Sequence, residues 1–291
     1  RWLASFESIF EGRRKLRGIT QNQSIGASAG LLTKQYRMPP VVGDLNSAVF
    51  YKGEVSNATA DAEGGPAEGH RNPFVAPVWL AGKSLVWVDI PWTQEHKEIK
   101  KTGYANRREQ HVIQHVLQQM AIADGQTTGR PYTVAILTPY NMQKIAINRD
   151  AAITPPPGCQ FGSAQNREIG ESKAKAYSVD SFQGDEADII IVSLVRNKPT
   201  RAQETLSASD IEFIAQPDRL NVMLSRPKRL LIIVGCWEFL SACVANVSSA
   251  TDADGNYNDP DYGPFKKTLE ELNAMFKGGR ALKITAQEVL Q

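Results

Sequence analysis

Cysteine is scarce: Cys159, Cys236 and Cys243 are the 3 thiols in 291 residues. None stands in the C-x-x-C pairing of a zinc site, and an odd number at irregular spacing excludes a disulfide framework. A reducing, intracellular compartment is the expectation. Long apolar runs are missing too; nothing approaches the roughly 18 residues that a helix needs to cross a bilayer, so no membrane partner is expected. Charge is not lopsided. A net charge of +2 and an isoelectric point near 8.4 fall short of the strongly basic face of a dedicated nucleic-acid binder, so composition alone points to no such partner. The opening Arg1-Trp2 lacks a methionine and the layout of a signal peptide, and reads as the start of a piece of a longer protein. What remains is ordinary: 42% hydrophobic and 22% charged residues, enough to bury a sizeable core in one domain with insertions or in two.

Four stretches are short, apolar and β-branched: Ser84–Ile90, Thr133–Thr138, Asp188–Val195 and Leu230–Val234. Continuous runs of this kind read as strands buried on both faces, as in a parallel sheet. Between the first two, Val112, Ile113, Val116, Leu117 and Met120 recur at helical spacing, giving a strand, a helix and a strand. A helix is expected from Tyr140 to Asn148, and another from Asp218 to Arg226 with Leu220, Met223 and Leu224 on one face. Alternation of this kind predicts an α/β domain. Gly53–Asn72 and Ala151–Ala174 read as surface insertions, because glycine, proline and charge replace periodicity there; 246–264 is similar.

Three polar blocks carry candidate chemistry. In the first, Gln35, Tyr36 and Arg37 precede Pro39 and Pro40, and Pro40 suits the first turn of a helix running to about Phe50. An arginine at such an entrance can meet an anion, and a tyrosine can stack; a surface arginine beside a half-buried tyrosine is the plainer alternative. The second, Ala176 to Asp188, combines small hydroxyl residues with Gln183 and Gly184, which let a backbone approach phosphate or sugar closely. Its four acids, Asp180, Asp185, Glu186 and Asp188, read equally well as a solvated turn. In the third, Pro217 to Arg229, Arg219, Arg226, Lys228 and Arg229 flank apolar positions. The guanidinium fork suits phosphoryl oxygens, although a basic helix end also answers the helix dipole.

In order and wording, QYRM from Gln35, LTPYNMQ from Leu137, VDSFQGDEADIIIVSLVR from Val179 and RLNVMLSRPKRLLIIVG from Arg219 resemble the up-frameshift and senataxin branch of superfamily 1 helicases. The likeness runs from about Leu31 to Gly235. It extends to Gly103–Glu109, similar to that family's asparagine-and-glutamate helix start, and to Ser5–Phe10. The resemblance implies a RecA-like parallel sheet flanked by helices, the second motor domain, without a Walker A of its own. Residues 1–30 would then connect from the first motor domain, 31–245 would form the second with insertions near 53–72 and 151–174, and 246–291 would be an extension with a helix. It also implies ATP with Mg2+, the ion held mainly by the first domain, and single-stranded RNA or DNA as partner. By the same resemblance Arg226 is the arginine finger and Arg37 its partner on the γ-phosphate. Tyr36 lies against the nucleotide, Glu186 contacts its sugar, and Gln183 and Gly184 couple the two ligands. Thr138, Pro139, Tyr140 and Ser181 meet the nucleic-acid backbone.

Two short strings mislead. Asp185–Asp188 spells the DEAD tetrad of another helicase superfamily, but precedes its strand, whereas a magnesium carboxylate belongs at a strand's carboxyl end. Gly82-Lys83-Ser84 has the end of a P-loop, but Pro77 stands where its first glycine belongs and a strand follows where a helix should. His111 and His115, four apart on a helix, lack a third metal ligand and read as an exposed face, so no metal site is expected. The sequence departs from the family at Pro39, where histidine stands, and at Pro227, where alanine stands. A proline at 227 disfavours helical geometry at Arg226. A helicase-like scaffold without turnover is therefore the competing expectation.

Overall fold

The computed structural model describes residues 33–92, 99–100, 103–123, 129–163, 174–198 and 206–291. The expected connecting segment at 1–30, Ser5–Phe10 included, and residues 164–173 lie outside the described residues. A seven-stranded parallel sheet organises the rest. Its strands are β1 (Leu85–Asp89), β2 (Tyr132–Thr138), β3 (Cys159–Phe161), β4 (Ala176–Ser178), β5 (Ala187–Ser193), β6 (Pro227–Gly235) and β7 (Leu282–Thr285). They lie in the order β4-β2-β5-β6-β1-β7, and β3 shares the outer edge of β2 with β4. The four apolar runs became β1, β2, β5 and β6, the central strands, as continuous hydrophobicity requires of strands covered twice.

Pleating sends successive side chains to opposite faces, and the two cores divide on that basis. Leu85, Trp87, Ile190 and Val192 point to one face, under α1 (Pro40–Phe50), α4 (Pro217–Leu224), α5 (Trp237–Cys243) and α6 (Gly263–Lys277). Val86, Val88, Ile189 and Ile191 point to the other, where Val112, Ile113, Val116 and Leu117 of α2 (Arg107–Gln119) and Ile147 of α3 (Asn141–Arg149) cover them. Each such side chain withdrawn from water contributes about 1.5–3 kcal/mol. Among the described residues no helix is long and apolar enough to cross a membrane.

One local feature differs from what the sequence led one to expect, and two segments outside the central strands are tied into the domain. The helix before β6 stops at Leu224, with Ser225 as its cap, so Arg226 is not helical and Pro227 is the first residue of a strand, where a missing N–H is tolerated. Residues 53–72 are tied to the domain: Ser56–Asn57 pairs in parallel with Lys34–Gln35, and Arg229 Nη1 donates to the carbonyls of Glu68 and Arg71 at 3.3 and 3.1 Å. Beyond residue 245, α6 buries Phe265, Leu269 and Leu272 in the first core, and β7 extends the sheet beside β1.

Because all the strands run one way, the sheet has an amino rim, at Tyr132, Ala187 and Pro227, and a carboxyl rim, at Thr138, Ser178, Ser193 and Gly235. The candidate residues sort onto these two rims.

Candidate functional site

The amino rim is built around Gln35. Its carbonyl oxygen accepts from the N–H groups of Arg37 and Met38 at 2.8 and 2.7 Å, and its amide nitrogen donates to Met38 O, Asn57 Oδ1 and Thr59 Oγ1. That knot fixes the chain ahead of α1 and turns Tyr36 outward, 72% exposed. Arg37 faces inward. Its Nε donates to Glu186 Oε2 at 2.7 Å, and its Nη1 to Ser225 O at 3.3 Å. Lys228 Nζ pairs with the other oxygen of Glu186. Burial pushes the Glu186 carboxyl up, but the hydrogen bonds and charges of Lys228 and Arg37 outweigh it and hold the group below the usual glutamate range.

Arg226 stands beside this cluster. Its Nε and Nη1 reach the carbonyls of Val222 and Asp185, each at 3.4 Å, long for such bonds. Burial first, and then the charge of Arg37, depress its pKa below the ordinary arginine value. Two guanidiniums and an ammonium thus gather around the Glu186 carboxylate, with the charge of Asp185 also acting on Arg226, a set in which the guanidinium forks suit a further anion. The neighbouring Asp188 is engaged elsewhere. Its Oδ2 accepts from the backbone N–H and the hydroxyl of Thr133, both at 2.9 Å, and its Oδ1 meets Arg229 Nε at 3.3 Å. The DEAD string is therefore a structural clamp at the start of β5, Asp188, together with the carboxylate that Arg37 and Lys228 hold, Glu186.

On the carboxyl rim, Ser178 lies level with Thr138. Ser181 is exposed, its hydroxyl donating to Ser178 O at 2.9 Å. Thr138 has no exposed surface, and its Oγ1 accepts from Tyr140 N at 3.4 Å. Pro139 is buried and Tyr140 is 9% exposed. Of these four, Ser181 presents its polar atoms most openly; Thr138 shapes the turn that carries Tyr140. Gln183 and Gly184 are exposed on the loop that returns from this rim to the amino end of β5, with Gly184 at φ +90°, a conformation that favours glycine. Helix α4 runs between the same rims. Arg219 in its first turn pairs with Asp180 at 3.0 Å, and Arg226 follows its end.

A buried polar network at the carboxyl rim was only half visible in the sequence. Asn106 caps α2, accepting from Arg108 and Glu109 N–H. Asn-x-x-Glu is the spacing of a capping box, in which the glutamate returns to the cap's own N–H. Here Gln143 Oε1 takes that N–H at 2.9 Å, and Glu109, wholly buried, accepts from Ser193 Oγ at 2.6 Å and from Val195 N at 2.9 Å. Val195 sits at φ +70°, and Arg196 N donates to Leu194 O at 2.7 Å, the i to i+2 bond of a γ-turn. A β-branched residue in that region is strained by about 1–3 kcal/mol. Glu109 is what holds it there.

The fold and the two rims define a RecA-like α/β domain with a cluster of cations around Glu186 and no glycine-rich phosphate loop among its described residues. A family model described as an AAA domain, AAA_12, matches residues 11–238, and the chain belongs to that family, the C-terminal RecA-like domain of up-frameshift-type superfamily 1 helicases. Similar proteins include the Regulator of nonsense transcripts 1 homolog of Neurospora crassa, 29% identical over 70% of this chain and 16% of its own length. The ATP-dependent helicase upf1 of Schizosaccharomyces pombe is 27% identical over 72% of the chain and 20% of its length. The ATP-dependent helicase NAM7 of Saccharomyces cerevisiae is 28% identical over 73% and 19%. The chain thus spans a fifth or less of these relatives.

Proposed function

We propose that this chain is the second motor half of an ATP-dependent helicase that moves on single-stranded RNA or DNA. The observation that carries the reading is the convergence of three blocks remote in sequence on one rim: Arg37 meets Glu186, 149 positions away, at 2.7 Å, and Arg226 stands beside both. Three cations against the carboxylates of Glu186 and Asp185 on a partly exposed rim suit a polyphosphate. Arg37 would engage the γ-phosphate and Arg226, the finger, would stabilise charge on the transferring group. Tyr36, already turned outward, would lie against the nucleotide, and Glu186 would accept from its sugar after giving up Arg37. By the family resemblance, Mg2+ would be held mainly by ligands of the first motor domain.

Gln183 and Gly184 connect this rim to the opposite one, where Ser181 and the Thr138-Pro139-Tyr140 turn would track the nucleic-acid backbone without reading sequence. Alternation between two states with different affinity for nucleotide would then shift that rim along the strand. Pro227 is compatible with the reading, because Arg226 lies outside α4. In the full-length protein, Arg226→Ala should lower ATP turnover by about 10³ to 10⁵ while nucleotide binding stays near normal. Near-normal turnover would remove Arg226 from this role and favour a scaffold.

A further inference from the structure

A cleft of about 470 Å³ opens on the carboxyl rim, walled by Tyr104, Tyr140, Phe213, Arg196 and Glu212. Its volume falls within the roughly 300–1,000 Å³ of pockets that take small organic groups. The wall is a ladder of rings closed by a guanidinium at each end. Arg219 lies over Phe213 with its central carbon 3.8 Å from the ring centroid. Phe213 and Tyr140 are 5.6 Å apart, Tyr140 and Tyr104 5.2 Å, and Arg196 lies over Tyr104 at 4.3 Å. Phe213 nevertheless keeps 37% of its surface exposed, which a side chain serving only the core would not.

From this we infer that the cleft is a stacking site for one base of the bound strand, resting on Phe213 and the Tyr140–Tyr104 pair; the inference rests on the nucleic-acid reading above. Aromatic faces flanked by arginine are the sequence-tolerant way to hold single strands, because every base presents a π face. The cleft is also continuous with the surface proposed to track the backbone. Tyr140 belongs to both, and Arg219, at the end of the ladder, pairs with Asp180, the neighbour of Ser181. Charge orients the guest. Glu212 repels a phosphate and offers an acceptor to a base amino group, so the phosphate falls to the arginine side. Arg196, 4% exposed, backs the Tyr104 ring rather than reaching into solvent: Nη2 donates to Lys198 O at 2.7 Å, and the strained turn at Val195, clamped by Glu109, fixes where the side chain starts. None of Tyr104, Arg196, Glu212 and Phe213 stood out as a candidate in the sequence.

The test is binding of fluorescein-labelled single-stranded oligonucleotides, RNA and DNA, to this chain by anisotropy, with 4-thiouridine and 4-thiothymidine versions for photocrosslinking. Phe213→Ala and Tyr104→Ala should each weaken binding by roughly 5- to 150-fold, Phe213→Tyr should restore it, and crosslinks should map to the peptides carrying Tyr104 and Phe213. Thermal unfolding of each variant separates lost stacking from lost structure; if an alanine variant is unfolded, the crosslink map of the unaltered chain decides. Binding that survives these substitutions, with crosslinks confined to the Ser181 loop, would overturn the stacking site and leave the proposed function standing. No binding by the unaltered chain at any concentration reached would overturn both.

Discussion

Glu186 is held by two cations at once, and its titration reports on the cluster. Its folded-state pKa lies below the ordinary glutamate range because Lys228 and Arg37 prevail over burial. A depressed carboxylate contributes stability at pH above its unfolded value and loses that contribution as pH falls through its folded value, so the pairing should weaken only in acid, below the ordinary glutamate range. Following the Glu186 side-chain carboxyl carbon by NMR should show a midpoint below that of an unpaired glutamate, and Lys228→Met should move it upward; an unmoved midpoint would mean that Lys228 does not act on it. Glu109 illustrates a different kind of residue. It accepts bonds from Ser193 and from the strained Val195 and has no access to water, so replacing one oxygen by an NH2 group turns an acceptor into an unmatched donor. Glu109→Gln should cost about 1–3 kcal/mol, read from the urea midpoint at unchanged slope.

At the scale of elements, α1 shows how packing overrides propensity. Gly43 sits inside this helix, where glycine normally costs about 0.5–1 kcal/mol relative to alanine. A Cβ there would lie 1.9 Å from Asn57 Oδ1 and 2.8 Å from Gln35 Nε2. The helix accepts glycine so that the Gln35 knot, which aims Arg37, can press against its side. Gly43→Ala should therefore destabilise by roughly 1–3 kcal/mol, measured by thermal unfolding, and Asn57→Ala in the same chain should recover part of the loss. A stabilised single variant would show that the knot yields more easily than its bonds imply. Helix α4 makes the complementary point. Eight residues long, it joins Arg219 at one rim to the approach to Arg226 at the other, so the sheet's thickness along its strands sets the distance between the two proposed ligands.

For the whole molecule, the division of labour lies in what one domain holds. On the proposed reading the amino rim offers cations for phosphate, and no glycine-rich loop that would cradle the same phosphates stands among the described residues. This chain alone should hydrolyse ATP at no more than background rate, with or without oligonucleotide, whereas the full-length protein should turn over ATP and respond to single-stranded nucleic acid. Substantial turnover by the chain alone, in a coupled phosphate-release assay, would refute the half-motor reading. Comparing RNA with DNA as the stimulating strand in the full-length protein would separate the two substrates, since a 2′-hydroxyl contact leaves no motif.

Local regularities were legible in the sequence because they are written locally. Short, continuous β-branched runs favour doubly covered strands, helical spacing marks α2, and Pro40 opens α1 because an N–H in the first turn would have no intrahelical partner. The weakly patterned β7, Leu-Lys-Ile-Thr at the sheet's edge, carried no such signal, since an edge strand half in water needs only one buried residue, Ile284. What the three polar blocks would do together was not legible, because their meeting depends on strand order and register. Asp185–Asp188 reads as a solvated turn until β5 is set beside β6, which brings Lys228 to Glu186, and until Gln35 folds the chain so that Arg37 reaches the same carboxylate. The rim as a set of cations seeking an anion is a property of the tertiary structure, as is the ladder of rings on the far side. The residue types were decided one at a time along the chain, and their partners only by the parallel sheet that gathers the strand ends onto two rims.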